Sequence, residues 1–198
     1  MKLREIIKLS CVMLGLEELL TSTELYDENF DILDEHSVTT SGTNIERNLN
    51  LLIKCFNISY SEIATDYFPL ITLETIKVTD GCYKLKNLQN EFYKLIKLED
   101  SDGFSCYYDL YDNILYVKNG EYKLVYCYVP NKLTLNSEVN NFNGKLVDRV
   151  FAYGINKEYC FISGLYSEAE SYKSKFEEAI KSSKIIRRQI RLPKRRWR

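Results

Sequence analysis

The spacing of apolar residues along this chain changes twice. Between residues 2 and 20, Leu3, Ile6, Ile7, Val12, Leu14, Leu16, Leu19 and Leu20 recur mostly three or four positions apart. That spacing predicts an amphipathic helix with a bend at Gly15. Residues 21–43 (TSTELYDENFDILDEHSVTTSGT) are polar and acidic and read as an exposed connection with one short helical turn. A second helix is expected from 44 to 66, capped by Thr43 or Asn44 with Glu46 in its first turn. Leu49, Leu52, Ile53, Phe56, Ile63, Ala64 and Tyr67 form its apolar side, and Pro69 stops it by disfavouring helical backbone in the residue before.

From residue 70 the period falls to two. ITLETIKVTDGCYKL and FYKLIKLEDSDGFSCYYDLYDNILYVKNGEYKLVYCYVP alternate apolar and polar positions, punctuated by Asp80-Gly81, Asp102-Gly103, Asp112-Asn113 and Asn119-Gly120. Asn, Asp and Gly tolerate positive φ, so these dipeptides predict tight hairpins. Five or six short antiparallel strands are expected between 70 and 129, forming a β-sandwich or small barrel closed off by Pro130-Asn131. Helical spacing then returns. A third helix is read at 144–163, with Val147, Val150, Phe151, Ile155, Tyr159 and Phe161 on its buried side and Gly164 ending it. A fourth is read at 167–182, capped by Ser167. Pro193 keeps the remainder from being one unbroken helix.

The fold class read from this pattern is α+β. It is a four-helix bundle (1–69 and 144–183) with an inserted antiparallel β domain (70–131) and an extended C-terminal arm (184–198).

Charge adds what periodicity does not. The chain of 198 residues has formal net charge -1, but nine of its 27 basic residues and none of its 28 acids lie in 181–198. Residues 1–180 therefore carry -10 and the tail +9. Such asymmetry points to an interaction arm. Ile185, Ile186, Ile190, Leu192 and Trp197 are interleaved with those charges. A purely electrostatic arm has little need of large apolar groups, whereas Trp and Arg dominate interface energetics. The arm thus reads as a protein-docking segment. Its partner-binding residues are Ile186, Arg187, Arg188, Ile190, Arg191, Leu192, Lys194, Arg195, Arg196, Trp197 and Arg198. The alternative is a nucleic-acid-binding module that uses the basic tail as its electrostatic arm.

Catalytic chemistry finds little purchase. No Walker loop, GxGxxG, GxSxG or HExxH occurs. The six cysteines, at 11, 55, 82, 106, 127 and 160, form no CxxC, and His36 is the single histidine. Free buried thiols in a reducing compartment are expected, with no disulfide and no metal. Cys106 and Cys127 are placed on candidate strands. The acidic run with Asp27, Glu28, Asp31, Asp34 and Glu35 lacks the spacing and glycine of an EF-hand and reads as a solvated loop. The tyrosines of CYYDLYDNILYV suit base stacking, but their neighbours Asp109, Asp112 and Glu121 oppose phosphate, so sheet packing is expected. Glu5, Lys8, Glu17 and Glu18 interrupt the N-terminal apolar stretch, and no segment is long and apolar enough to span a membrane. The reading is a non-enzymatic interaction protein without a cofactor.

One stretch carries a resemblance. RVFAYGINKEYCFISGLYSEAESYKSKFEEAI (149–180) resembles the paired C-terminal helices of tailed-bacteriophage head–tail adaptor, or connector, proteins. There a helix ends near a Gly-hydrophobic step and is followed by one of the type xxEAxxYxxKFxxAI. LNLLIKCFNISYSEIATDYFPL (49–70) resembles the corresponding helix of Clostridia-type phage proteins that also end in a basic RRW tail. The order of helices, β insert and arm is similar to that of the podovirus adaptors called tail tubular protein A. The resemblance implies a structural virion protein of the phage neck, assembled in the host bacterial cytoplasm. It implies a homo-oligomeric ring, usually a dodecamer, beneath the portal protein. The C-terminal arm would insert into the portal and the ring would present a platform to tail or neck proteins. Genomic DNA would be only a transient passenger in the channel, whose wall would be acidic.

Overall fold

The computed structural model describes residues 2–27, 44–142, 144 and 146–184. The elements are α1 (Leu3–Leu14), α2 (Glu17–Leu20), α3 (Asn44–Glu62), β1 (Leu70–Val78), β2 (Cys82–Lys84), β3 (Glu91–Asp100), β4 (Asp109–Tyr111), β5 (Ile114–Tyr116), β6 (Gly120–Val129), α4 (Asp148–Ile162) and α5 (Tyr166–Lys184). The chain is mixed α+β, with five α-helices and two three-stranded antiparallel sheets among the described residues.

Helix ends follow local chemistry. Gly15 takes φ +68 and its N–H, with that of Leu16, returns to the carbonyls of Val12 and Cys11. A left-handed residue there is what a helix stop needs, and glycine adopts it without a Cβ clash. Gly164, at φ +77, ends α4 in the same way. The second helix does not run as α-helix to 66. It widens into a π-turn over Ile63–Tyr67, closed by Phe68 N–H donating to Ile63 O at 2.8 Å. Extended backbone at Phe68 then leads through Pro69 into β1.

The third helix begins at Asp148, not 144. Gly144 sits at φ +74 in a turn held by Asn141, whose side chain accepts the Gly144 N–H and whose carbonyl accepts that of Leu146. Val147 therefore precedes the helix and is exposed. Phe161 is exposed as well, one step around the helix from buried Cys160, while Val150, Phe151 and Ile155 are buried as expected. Ser167 lies inside α5 and donates to Glu168, so it is not the cap.

The inserted strands do not close a barrel. They form two separate sheets, ordered β1-β6-β3 and β2-β5-β4. β1 pairs with β6 along its whole length, from Leu70↔Tyr128 to Val78↔Gly120. Only one of the four expected turn signals joins paired strands in two residues. Asp112 and Asn113, at φ 49 and 59, link β4 to β5. Asp80-Gly81 and Asn119-Gly120 instead mark crossings between the sheets, tied together by Gly81 N–H donating to Asn119 Oδ1 at 2.7 Å. Gly120 opens β6 without positive φ, and the Tyr122 ring lies 3.5 Å from where its Cβ would be. Cys106 lies in the β3–β4 connection, not on a strand, while Cys127 lies on β6.

Two apolar cores result. The larger unites α1, α3, α4 and α5 through Ile6, Leu52, Phe56, Phe151, Ile155 and Phe176. The smaller joins the two sheets through Ile76, Leu98, Leu115, Leu124 and Tyr126. Tyr128 packs against both. Polar staples fix the larger core. Buried Arg4 donates to the carbonyl of Leu25 and to Asn136 Oδ1, each at 2.7 Å. Asn57 exchanges two hydrogen bonds with the backbone of Leu133. Tyr172 donates its hydroxyl to Met13 O.

Candidate interaction surfaces

The eleven arm residues named from sequence, Ile186 to Arg198, lie outside the described residues, as do His36 and all of the acidic run except Asp27. What the structure places is the root of the arm. Helix α5 buries Phe176 and Ile180 on one face, a spacing of four that keeps one stripe on α4 and the core. Its last described residue, Lys184, arrives at the seam between the helices and β1. There its ammonium stands 4.7 Å from the Tyr67 ring centroid and 5.7 Å from that of Phe68, within cation–π range. Ser183 and Lys184 line an open groove of about 700 Å³ with Tyr67, Phe68, Pro69, Leu70, Ile71, Tyr128, Asn140 and Phe142.

The π-turn that shapes this groove is pinned from the other side. Lys157 of α4 donates to Glu62 at 2.6 Å and to Glu158 at 3.1 Å, and stands over the Phe176 ring. Burial lowers its proton affinity, but the two carboxylates more than compensate and hold it above the ordinary lysine value. The arrangement clamps the π-turn to α4.

Three further surfaces expose apolar groups. At the α4–α5 turn, Phe161, Ile162, Leu165 and Tyr166 are each about half exposed or more, and the Phe161 and Tyr166 rings meet edge-on at 5.8 Å. This tip falls inside the stretch that carries the adaptor resemblance. On the outer sheet β2-β5-β4, Tyr111 and Tyr116 stand side by side, and Tyr107, 87% exposed, donates to Asp109. The sequence assigned these tyrosines to sheet packing. Of the tyrosines in that stretch, Tyr108 packs against the smaller core, but Tyr107, Tyr111 and Tyr116 face solvent among aspartates. Base stacking on a phosphate-bearing strand is still opposed by that charge.

The third surface is the outer face of β1-β6-β3. Register shifts between Phe92/Lys94 and Leu95/Lys97 mark two bulges, so that Tyr93 with Lys94, and Ile96 with Lys97, oppose single residues of β6. Bulges re-aim side chains that strict alternation would send inward. Tyr93 and Ile96 join Ile71 and Leu73 among the exposed apolar groups. The lysines there are largely matched: Lys97 pairs with Glu99, and Lys77 and Lys123 stand opposite Glu121 and Glu99 in the register.

The thiols divide by region. Burial pushes Cys55 up to about 12 and Cys11 up to about 11, and raises Cys160 also. Cys82 and Cys106 are half-buried, and all six cysteines are unpaired. Among the described residues no group of three or more His, Cys, Asp or Glu stands close enough to hold a metal ion, and no helix is long and apolar enough to cross a membrane. With this geometry in view, comparison with known proteins adds no kinship: the chain matches no protein-family profile and no curated protein.

Proposed function

We propose that this chain is a head–tail adaptor of a tailed bacteriophage, a non-enzymatic structural protein of the virion neck. In this reading α1, α3, α4 and α5 act as a four-helix bundle and the two sheets as a sandwich inserted into it. Copies assemble into a ring, twelvefold in the adaptors that the sequence resembles, and each copy reaches the portal protein with its C-terminal arm. The ring extends the DNA channel and offers tail or neck proteins a platform. The body, at -10 over residues 1–180, gives the channel an acidic wall that does not hold passing DNA.

The observation that carries this is the arm's composition. Nine basic residues, no acid and five large apolar side chains follow one another on a body of opposite charge. Desolvated anchors in such an arm need a pocketed protein partner, and a ring makes each weak contact effective because the arms act together. The root of the arm at a helix–sheet seam and the exposed α4–α5 tip support an assembly role.

The test is capture of a portal ring by full-length protein, by protein lacking 185–198 and by Trp197→Ala, each at two salt concentrations, with imaging of the particles. Truncation should abolish capture. Trp197→Ala should cost more than any single Arg→Ala, since a truncated buried indole loses about 3–5 kcal/mol and an exposed ion pair roughly 0–1 kcal/mol. Capture by the truncated protein would show that the arm is not the strap. Binding that tracks only charge count and vanishes with modest salt would assign the arm to nucleic acid instead.

A further inference from the structure

We propose that copies of this chain associate head to tail, the α4–α5 tip of one copy seating in a hollow on the outer face of the β1-β6-β3 sheet of the next. The contact deepens the adaptor reading, on which it rests only for closure into a ring.

Both surfaces are apolar at their centres. At the tip, Phe161, Ile162, Leu165 and Tyr166 are between 47% and 67% exposed, and every residue from 161 to 168 is exposed. The hollow, of about 500 Å³, is walled by Pro69, Ile71, Tyr93 and Ile96, with buried Cys127 of the central strand between them. It has room for the edge-on rings of Phe161 and Tyr166.

Charge selects the tip as the occupant. By register and exposure, the outer sheet face carries Lys77, Lys94, Lys97 and Lys123 against Glu99 and Glu121. It is a positive face on a body of -10, and Lys94 lies in the lining of the hollow. The tip has the opposite sign. Glu168 and Glu170 are exposed beside it, with Lys173 reaching Glu170 only at 3.8 Å. The end of α1 is held to α5 by the Tyr172 hydroxyl, and exposed Glu17 and Glu18 follow it. No Lys or Arg occurs in 9–24 or 158–172. An apolar centre with a charged rim is how protein interfaces are built, and opposite rims choose the partner and its orientation.

The two surfaces lie too far apart to meet within one chain. Helix α5 runs from the tip to Lys184, which stands over Phe68 beside the hollow. Its 19 residues span about 28 Å at 1.5 Å each. The contact is therefore between copies. Because it joins unlike patches, it repeats from copy to copy until it closes as a ring or extends as a filament.

Sedimentation velocity of the full-length protein, with no portal present, tests it. The unmodified protein should associate beyond the dimer at concentrations on the order of 10–100 µM, where a small interface of micromolar Kd is occupied. Phe161→Ser with Tyr166→Ser spoils the tip, and Ile71→Glu with Lys94→Glu spoils the hollow. All four positions are exposed, so far-UV dichroism should be unchanged. Each variant alone should be monomeric. Mixed one to one, they should form a dimer and nothing larger, because one intact tip and one intact hollow remain. Lys94→Glu by itself should weaken association about tenfold, and Glu168→Lys with Glu170→Lys in the same chain should restore it. A monomeric unmodified protein would overturn the contact, and so would failure of the mixture to dimerise or of the charge swap to rescue. Dimers of the hollow variant alone would mean that tips pair with tips, and dimers of the tip variant alone that sheet faces pair with each other; either result also overturns it. Portal capture is measured separately, so failure of this contact and failure of the adaptor reading are told apart.

Discussion

Phe151 and Tyr126 occupy matching places in the two halves of the molecule, each a large ring with almost no exposure. Their surroundings differ. Phe151 meets the rings of Phe56, Tyr60 and Phe142 at 6.1, 6.3 and 6.4 Å, from α3 and from the loop before α4. Tyr126 meets Phe92 at 6.0 Å and turns its hydroxyl to Glu74 at 3.1 Å, near the edge of a thin core. The helical core is knitted from segments far apart in sequence, by Arg4 to Asn136 and by Tyr172 to Met13. The β unit is held by strand register and by a small cluster, and three of its six strands are three residues long. The difference teaches where the chain places rigidity and where it places surface. The helices make a rigid base, and the sheets expose tyrosines and aliphatics that a more economical core would have covered.

The sharpest way to break this contrast is to remove the ring at the centre of the base. Phe151→Ala should destabilise the protein by about 3–5 kcal/mol. Denaturant unfolding followed by far-UV dichroism should show a single transition moved to lower denaturant. A loss below 1 kcal/mol would mean that the helical core is no tighter than the β unit.

A smaller effect is expected from adding volume. Gly154 lies where α4 crosses α3, and a Cβ there would stand 2.8 Å from the Ser59 Cβ and 3.3 Å from the Phe176 ring. Gly154→Ala gains helix propensity but overpacks, at a net cost of about 1–3 kcal/mol. Ser59→Gly in the same chain should recover part of that cost, since it removes the closest atom. Unfolding curves of the two single variants and the double variant decide it. Simple additivity would place the strain elsewhere.

Much of this base can be read from the sequence alone. The periods of 3.6 and 2, the stop at Gly164 and the Asp112-Asn113 turn are local signals, and the structure keeps them; where a bend was expected at Gly15, α1 instead ends and α2 starts afresh at Glu17. What escapes local reading is non-local. The division into two sheets depends on β1 pairing with β6, some fifty residues away. The bulges in FYKLIKL turn Tyr93 and Ile96 outward although the run alternates plausibly as written. Arg4, a charged residue within the first amphipathic helix, is buried against carbonyls contributed by another segment. The groove at Lys184 is assembled from four separated stretches, so no motif announces it. The arm itself was conspicuous because charge density requires no partner to be seen.

A third test concerns the clamp at Glu62, Lys157 and Glu158. Lys157→Met keeps the stem over Phe176 and removes the charge. The group is only partly exposed, so its loss should cost about 1 kcal/mol, above a fully exposed pair and well below a core ring. The folded lysine holds its proton more tightly than the unfolded one. Its contribution is therefore fully present below the ordinary lysine pKa of 10.5 and is lost as pH rises through the higher folded value. The difference between wild type and Lys157→Met should shrink above about pH 10.5. A difference that grows with pH would reverse the assignment.

The gentlest test perturbs nothing and asks the native protein which region opens. Thiol reagents attack the thiolate, so labelling depends on exposure and on proton affinity together. Burial moves Cys55 from the ordinary thiol value of 9.0 to about 12, which leaves it about a thousandfold less thiolate at neutral pH. Cys11 and Cys160 are buried in the same base and raised in the same direction. Cys127, on β6, is also buried, whereas Cys82 and Cys106 in the β unit are half-exposed. Brief labelling at pH 8 should therefore modify Cys82 and Cys106 first, and the other four only as denaturant is added. The order also reports on stability. Thiols whose folded pKa is raised contribute fully below the unfolded value and lose that contribution as pH rises through the folded one. The helical base should accordingly become labile between about pH 9 and 12, and mass spectrometry of labelled peptides should show Cys11 and Cys55 appearing together in that window. Labelling of Cys55 as fast as Cys82 at pH 8 would mean that the base opens as readily as the sheets, and the contrast drawn from Phe151 and Tyr126 would fall with it.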